Sequence, residues 1–152
     1  MYSKDLFKES LFDSLGYSDR EWSKRLGAAS YEILFAVVHA ELRVGRSVIA
    51  ETNFSSASTS RFRDMKARFV QILCHARGDL VFGRFADRSR RDRHPGHVDA
   101  ENFEEFKAGL LRGRIDPLDL PGPVIEVDTT DFGAIDYPAI LRELDASLGP
   151  AP

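Results

Sequence analysis

The 152-residue sequence is poor in several features, and each absence narrows what the protein can be. The single cysteine, Cys74, excludes an internal disulfide, and its apolar neighbours predict a buried thiol. No apolar run approaches the length of a membrane-spanning helix, and the first residues carry no apolar signal segment. These absences predict a soluble, cytoplasmic protein without a membrane partner.

The sequence also lacks a phosphate-binding loop of the form G-x-x-x-x-G-K-[ST]. Such a loop joins a strand to a helix, where its backbone N–H groups surround phosphates and its lysine reaches them. Gly109 and Gly113 lack the Lys-Ser/Thr pair that should follow, and other glycines (Gly16, Gly27 and Gly45) fall at helix-like positions.

What is present is the composition of an ordinary globular domain, with 43% hydrophobic and 30% charged residues. The length fits one domain, placed at residues 1–149, followed by a short tail at 150–152. A net charge of −3 at pH 7 argues against a nucleic-acid partner.

Short apolar runs alternate with segments of helical periodicity, which predicts βαβ units and a parallel sheet. Strands are predicted at 47–51, buried on both faces, at 69–75 and at Val124–Asp128, and Tyr2-Ser3 resembles a strand end. The first predicted helix ends at Gly16, and a long second helix runs from a capping box at Ser18 to Gly45. A weak helix with Phe62 and Met65 follows, and then a helix over Gly78–Arg91. The last two predicted helices are one that contains Phe103 and Leu111 and one that ends near Gly149.

Five short sequence patterns follow one another along the chain. They are Ser3-Lys-Asp5-x-x-Lys8, Val48-Ile-Ala-Glu51-Thr-Asn53-Phe54, Arg84-x-x-x-Arg88, His94-Pro-Gly-His97-x-Asp99 and Val127-Asp128-Thr-Thr130. In this spacing they resemble the AAA-type, zeta-toxin-like and polynucleotide-kinase-like group of P-loop kinases, over residues 2–148. The resemblance implies a three-layer α/β P-loop fold, ATP and Mg²⁺ as cofactors, and phosphoryl transfer to a small-molecule hydroxyl.

The resemblance assigns Asp5 as the catalytic base, because a carboxylate at a strand end can accept a hydroxyl proton during transfer. The family pattern there is Asp-x-x-Arg, so Lys8 stands in for the arginine as a substrate contact without its bidentate fork. The alternative, from the residues alone, is that Asp5 caps a helix and Lys8 is solvated.

Glu51 follows an apolar strand, as a Walker B-like acid does, and is predicted to be catalytic and to lie on the Mg²⁺ side. Asn53 and Phe54 match the family's Asn-Phe pair and are predicted to bind substrate. The alternative is a polar strand end without a function.

Arg84 and Arg88 lie four residues apart, and the resemblance places them in a lid near 84–99 that closes over ATP. Arg91 is assigned to nucleotide binding with them, as are the residues that end the third strand, Asp128, Thr129 and Thr130. A solvated basic face and an ordinary strand-to-helix turn are the alternatives. A zinc site at His94, His97 and Asp99 lacks a fourth ligand, and a structured loop at the base of the lid is the better interpretation.

In such kinases the first strand lies at the centre of the sheet. Its absence predicts a chain that begins inside the fold, with about thirty further residues expected in the parent. The predicted consequence is an incomplete domain with exposed sheet edges, open to self-association and inactive alone. Two rival functions stay open: a non-catalytic remnant that binds a protein partner, and a module that binds or processes nucleic-acid ends with the basic stretch Arg84 to Arg93.

Overall fold

The computed structural model describes residues 1–91, 93–97 and 103–149. The described residues form six α-helices, four short strands and three single 3₁₀ turns. The strands are β1 (Tyr2–Ser3), β2 (Ala50–Glu51), β3 (Gln71–His75) and β4 (Val124–Asp128). The helices are α1 (Lys4–Leu15), α2 (Arg20–Arg43), α3 (Thr59–Arg63), α4 (Gly78–Arg91), α5 (Phe103–Leu111) and α6 (Tyr137–Leu148). The 3₁₀ turns are Ser56–Ser58, Pro95–His97 and Phe132–Ala134.

The chain divides into two compact units. Unit 1 comprises Met1–Asn53 and Asp87–Phe103, and unit 2 comprises Phe54–Ala86 and Glu104–Pro152. The single domain over 1–149 stays a prediction, and the tail at 150–152 lies outside the described residues.

Unit 1 is built on a short parallel strand pair and two packed helices. Strands β1 and β2 are in parallel register, with Tyr2 opposite Ala50 and Ser3 opposite Glu51. Helices α1 and α2 pack together and bury a common apolar face. The buried apolar residues of this unit are Phe12, Leu26, Leu34, Phe35 and Val38.

Local signals set the ends of both helices of unit 1. Helix α1 ends at Leu15, and Gly16 follows with φ +80°, a left-handed conformation that favours glycine. Gly45 has φ +77° just after α2, as predicted. The predicted capping residue of α2 was one position early: Asp19, rather than Ser18, accepts a hydrogen bond from the Trp22 N–H at 2.8 Å.

Unit 2 contains the second parallel pair. Strands β3 and β4 pair along five residues, from Gln71 opposite Val124 to His75 opposite Asp128. The buried residues of this pair, Leu73, Ile125 and Val127, lie between its two ends. The buried apolar residues of unit 2 are Phe62, Leu73, Ala76, Leu118, Ile125 and Val127.

Three local predictions were wrong. The segment 47–51 is not a strand buried on both faces, because only Ala50–Glu51 is β-structure and Ile49 is 63% exposed. Cys74 is exposed, because it alternates along β3 with the buried Leu73. Met65 lies beyond the end of α3.

The prediction of an α/β protein with parallel strands is confirmed in its coarse form. Within the described residues the strands form two separate two-stranded sheets rather than one continuous sheet. None of the described helices is long and apolar enough to cross a membrane.

Candidate functional site

The carboxyl end of the β1–β2 pair brings two predicted catalytic acids to one edge. Ser3 and Glu51 are the last residues of their strands, and the Ser3 hydroxyl donates to Glu51 Oε2 at 2.6 Å. Asp5 follows two residues later in the first turn of α1. Since ligands of open α/β folds bind beyond the carboxyl ends of strands, this edge is the first candidate site.

Asp5 is held by two cations, one on each carboxylate oxygen. Lys4 Nζ lies 2.7 Å from Oδ1, and Arg93 contacts Oδ2 at 3.0 Å. Burial opposes ionisation of this carboxyl, but the Lys4 hydrogen bond and the Lys4 and Arg93 charges outweigh burial and lower the pKa of Asp5 to about 2. Asp5 is therefore a fixed carboxylate and a weak base at neutral pH.

Lys4 connects Asp5 to residues that follow β2. Its ammonium lies 5.6 Å from the ring centroid of Tyr31 on α2. The Tyr31 hydroxyl donates to the main-chain carbonyl of Asn53 at 2.9 Å and lies 3.4 Å from the Thr52 hydroxyl. The edge therefore includes Asn53 through its backbone, while the Asn53 side chain is exposed.

Two of the predicted substrate-binding residues have packing roles. Lys8 is buried, 7% exposed, and donates to the Ser23 hydroxyl at 3.0 Å between α1 and α2. The alternative of a solvated Lys8 is therefore wrong, and its contact with substrate stays a prediction. Phe54 belongs to unit 2, where its ring meets the edge of Phe62 at 4.9 Å between centroids.

One face of α1 carries a row of carboxylates, each paired with a residue of the segment 93–97. The row has a spacing of four residues, so that its members lie one above another on the helix. The pairs are Arg93 with Asp5 at 3.0 Å, His97 with Glu9 at 3.0 Å, and His94 with Asp13 at 3.1 Å. We refer to these three pairs as the α1 clamp.

Phe12 adds apolar packing to the α1 clamp. Its ring stacks on His94 at 5.3 Å and meets His97 edge-on at 5.6 Å between centroids. Gly96 lies so close to the same ring that a Cβ there would approach it to 2.5 Å. Packing and charge together hold the segment 93–97 on α1.

His97 is the most enclosed polar group of the α1 clamp, at 2% exposure. Burial and the neighbouring Arg93 charge lower the pKa of His97, although the Glu9 hydrogen bond and the Asp5 charge oppose this. The imidazole is therefore neutral at pH 7 and donates its Nε2–H to the Glu9 carboxylate.

The contacts of His94 and His97 also bear on the zinc site that the sequence raised as a possibility. His94 and His97 each face a carboxylate on α1. Among the described residues no group of three or more His, Cys, Asp or Glu side chains is placed to hold a metal ion. Asp99 lies outside the described residues.

A second candidate site lies at the carboxyl end of the β3–β4 pair in unit 2. The Arg84 guanidinium donates to the main-chain carbonyls of Thr129 and Thr130, both at 2.9 Å. It also lies 4.3 Å from the ring centroid of Phe132, which is 60% exposed. Three of the predicted nucleotide-binding residues are thus in direct contact.

Asp128 has a structural function in this second site. Its carboxylate accepts the Thr130 N–H at 2.8 Å, and the Thr129 N–H donates to the His75 carbonyl at 2.7 Å. Hydrogen bonds from Thr130 lower the pKa of Asp128. These contacts support the strand-to-helix turn that the sequence left open beside nucleotide binding.

The chain is similar to a protein of known structure. The chain superposes with a TM-score of 0.85 and 38% identity on a "putative kinase" from Chloroflexus aurantiacus J-10-fl, over 97% of this chain and 83% of the other. The chain belongs to the same family as that protein. Its fold is accordingly kinase-like. No family model and no curated protein matches the chain.

The remaining predicted cations of this kinase-like chain lie at the end of α4. Arg88 and Arg91 are both in its last turn and both are exposed. Arg84, one turn earlier on the same helix, contacts the main chain after β4. Their place in a lid stays a prediction.

Sequence reasoning missed Lys4, Tyr31 and Phe132, and it placed Arg93 only in the basic stretch after Arg84 rather than at Asp5. Lys4 stands beside Asp5 in the first pattern, and Phe132 follows Thr130 by two residues, so both were within reach of the motifs. Tyr31 gave no signal, because its position on α2 relates to Asn53 only through packing.

Proposed function

We propose that this chain functions in ATP-dependent phosphoryl transfer as a protein of the P-loop type, in the zeta-toxin-like and polynucleotide-kinase-like group, and that the acceptor is a hydroxyl of a small molecule. The observation that carries the proposal is the position of two acids at the carboxyl end of the β1–β2 pair: Glu51 is opposite Ser3, and Asp5 follows Ser3 by two residues. Membership of the family of a kinase-like Chloroflexus protein supports it.

In this proposal Asp5 orients the acceptor hydroxyl. Each carboxylate oxygen can accept further hydrogen bonds besides those from Lys4 and Arg93, so that a substrate O–H can donate to it. A carboxylate with a pKa of about 2 removes a proton poorly. This is acceptable because phosphoryl transfer passes through a loose transition state, in which the hydroxyl proton leaves late.

Glu51 fits the magnesium side of such a reaction. It is exposed at the end of β2, and the Ser3 hydroxyl binds only one of its oxygens. Mg²⁺ in kinases is commonly held by one or two carboxylates together with substrate phosphates, so a single exposed carboxylate is a suitable donor set. The metal would supply charge neutralisation of the phosphate oxygens.

Arg84 and Phe132 support nucleotide binding in unit 2. The Arg84 guanidinium donates its hydrogen bonds to neutral main-chain carbonyls, and among the described residues no carboxylate neutralises its charge. Its positive charge thus remains available to phosphate oxygens. The exposed Phe132 ring offers an aromatic surface on which a base can stack.

The proposal requires a phosphate-binding loop, and the 152 residues contain none. The direct test is to read the coding DNA in frame upstream of Met1. A strand followed by G-x-x-x-x-G-K-[ST] would support the proposal. A stop codon with no such segment would contradict the proposal.

Activity is then measured on the gene product that contains the loop. Transfer of labelled γ-phosphate from ATP to a panel of sugars, amino alcohols and nucleotides would identify the acceptor class. Asp5→Asn should abolish transfer while nucleotide binding persists. Equal transfer by the variant would contradict the role of Asp5.

A protein-binding function is the second candidate, and one observation favours it. Ile72 and Cys74 are exposed on the same face of β3, with Ile72 at 49%. Apolar strand surface of this kind is commonly covered by another segment or chain. A monodisperse dimer of the chain in the absence of nucleotide would support this candidate, and a monomer would contradict it.

A further inference from the structure

The α1 clamp contains three ion pairs that differ in burial. Asp13 in the outer pair is 74% exposed, whereas Glu9 in the middle pair is 33% exposed and its partner His97 only 2%. The Arg93 side chain in the inner pair is 18% exposed. Exposed pairs contribute little, so the inner and middle pairs determine the strength of the α1 clamp.

The inner pair contacts the proposed reaction centre directly. Arg93 holds Oδ2 of Asp5 while Lys4 holds Oδ1, so both oxygens of the carboxylate are fixed and the group is restrained from rotating. Lys8, which the sequence placed in the role of the family's arginine, points to Ser23 instead. The guanidinium at Asp5 therefore comes from a residue 88 positions further along the chain.

We propose that Arg93 is the positioning residue for Asp5 and that the buried His97–Glu9 pair holds Arg93 in place. This inference rests on the function proposed above. Arg93 fixes the direction of the oxygen lone pairs to which the substrate hydroxyl donates.

The neutral state of His97 is part of this arrangement. A protonated imidazole beside Arg93 and Lys8 would add a third positive charge in a buried space. As a neutral donor to Glu9, His97 instead ties the segment 93–97 to α1 without repelling Arg93. Gly96, packed against Phe12, leaves this short segment little room to shift.

The experiment measures the acid dissociation constant of Asp5 in the 152-residue chain by carboxyl ¹³C NMR titration. A neighbouring arginine commonly lowers the pKa of an aspartate by at least one unit. Arg93→Gln removes this effect, so the pKa of Asp5 should rise and its acid dissociation constant should fall about tenfold. Arg93→Lys, which keeps the charge, should restore part of the effect. His97→Gln should also lower the constant, because Arg93 loses its support.

His94→Gln is the matched control, since it removes a histidine–carboxylate pair that does not neighbour Asp5. It should leave the Asp5 constant within twofold of wild type. If His97→Gln fails to fold, Glu9→Ala removes the same pair from its more exposed side. An unchanged Asp5 constant in Arg93→Gln, or equal effects of His97→Gln and His94→Gln, would overturn the inference.

This titration requires no kinase activity, so its failure is separable from failure of the proposed function. If Asp5 responds as expected and the coding sequence upstream has no phosphate-binding loop, the positioning role of Arg93 is supported and the proposed kinase function is contradicted. If the loop is present and Asp5 does not respond, the reverse holds.

Discussion

The imidazole of His97 donates a hydrogen bond to the carboxylate of Glu9 at 3.0 Å, across 88 residues of sequence. This bond lies at the middle of the α1 clamp and beside Arg93, which contacts Asp5. It links the segment after α4 to the helix that carries the proposed acceptor carboxylate. Its burial makes the stability of unit 1 sensitive to pH.

We predict that unit 1 loses stability as the pH falls below about 6.5, the ordinary pKa of histidine. The pKa of His97 is lower in the folded chain than in the unfolded chain. The unfolded state therefore binds more protons in this window, and acidification favours unfolding. Urea unfolding followed by the fluorescence of Trp22, the only tryptophan, measures this at pH 7.5 and 5.5.

His97→Gln should make this pH dependence shallower, whereas His94→Gln should leave most of it. Arg93, Asp5, Lys8 and Glu9 are the charged groups acting on His97. The ordinary pKa values of arginine, lysine and carboxyl side chains in general lie far from 6.5. A slope that persists unchanged in His97→Gln would contradict the prediction.

Gly96→Ala should destabilise unit 1 by about 1–3 kcal/mol, the usual cost of overpacking. The new methyl group would lie 2.5 Å from the Phe12 ring, which is itself buried, at 1% exposure. Gly27→Ala is the control in the same unit, because its methyl group would meet Lys8 at an ordinary 3.7 Å. Gly27 lies within α2, so this change should stabilise by about 0.5–1 kcal/mol. Equal unfolding midpoints for the two variants would show that the close packing at Gly96 is absent.

Arg84→Gln should weaken ATP binding by about tenfold or more, which corresponds to one charged hydrogen bond of at least 1.5 kcal/mol. The physical reason is loss of the un-neutralised guanidinium beside Thr129, Thr130 and Phe132. Titration with ATP, followed by NMR shifts of the Thr129 and Thr130 amides, measures the affinity. Arg112→Gln removes an exposed cation that pairs with Asp116 and should have no effect.

The 152-residue chain by itself should hydrolyse or transfer no ATP phosphate above the buffer rate. Without the loop, no backbone N–H groups surround the β- and γ-phosphates and no P-loop lysine neutralises them. A coupled ADP-release assay at millimolar ATP measures this. Turnover that Asp5→Asn abolishes would show that the chain contains a phosphate site not recognised in its sequence.

Much of the local structure was predictable from sequence. Helix α4 and strand β4 have the predicted bounds, and Gly16, Gly45 and Gly149 end helices where expected. The failures at the segment 47–51 and at Cys74 share a cause. Apolar runs indicate strands, but only neighbouring elements decide which faces are covered.

In the candidate sites, too, the sequence indicated residues but not all of their contacts. The motifs selected Asp5, Glu51 and Arg84, and the two acids lie at the carboxyl end of the β1–β2 pair. Arg84 lies on α4, where it contacts the main chain after β4, and its place in a lid stays a prediction. The partners of Asp5 were not predictable to the same degree. Lys8 has the family spacing from Asp5, yet it is buried against Ser23, while Arg93 makes the contact.

The sequence by itself determined the order and type of the elements, because helical periodicity, glycine conformation and capping residues act within a few positions of the chain. It also placed the acids at strand ends and the arginines on a helix. Only the tertiary structure decided which charges meet. The α1 clamp and the contact of Tyr31 with Asn53 join residues far apart in sequence, and such contacts depend on how α1, α2 and the segment 93–97 pack.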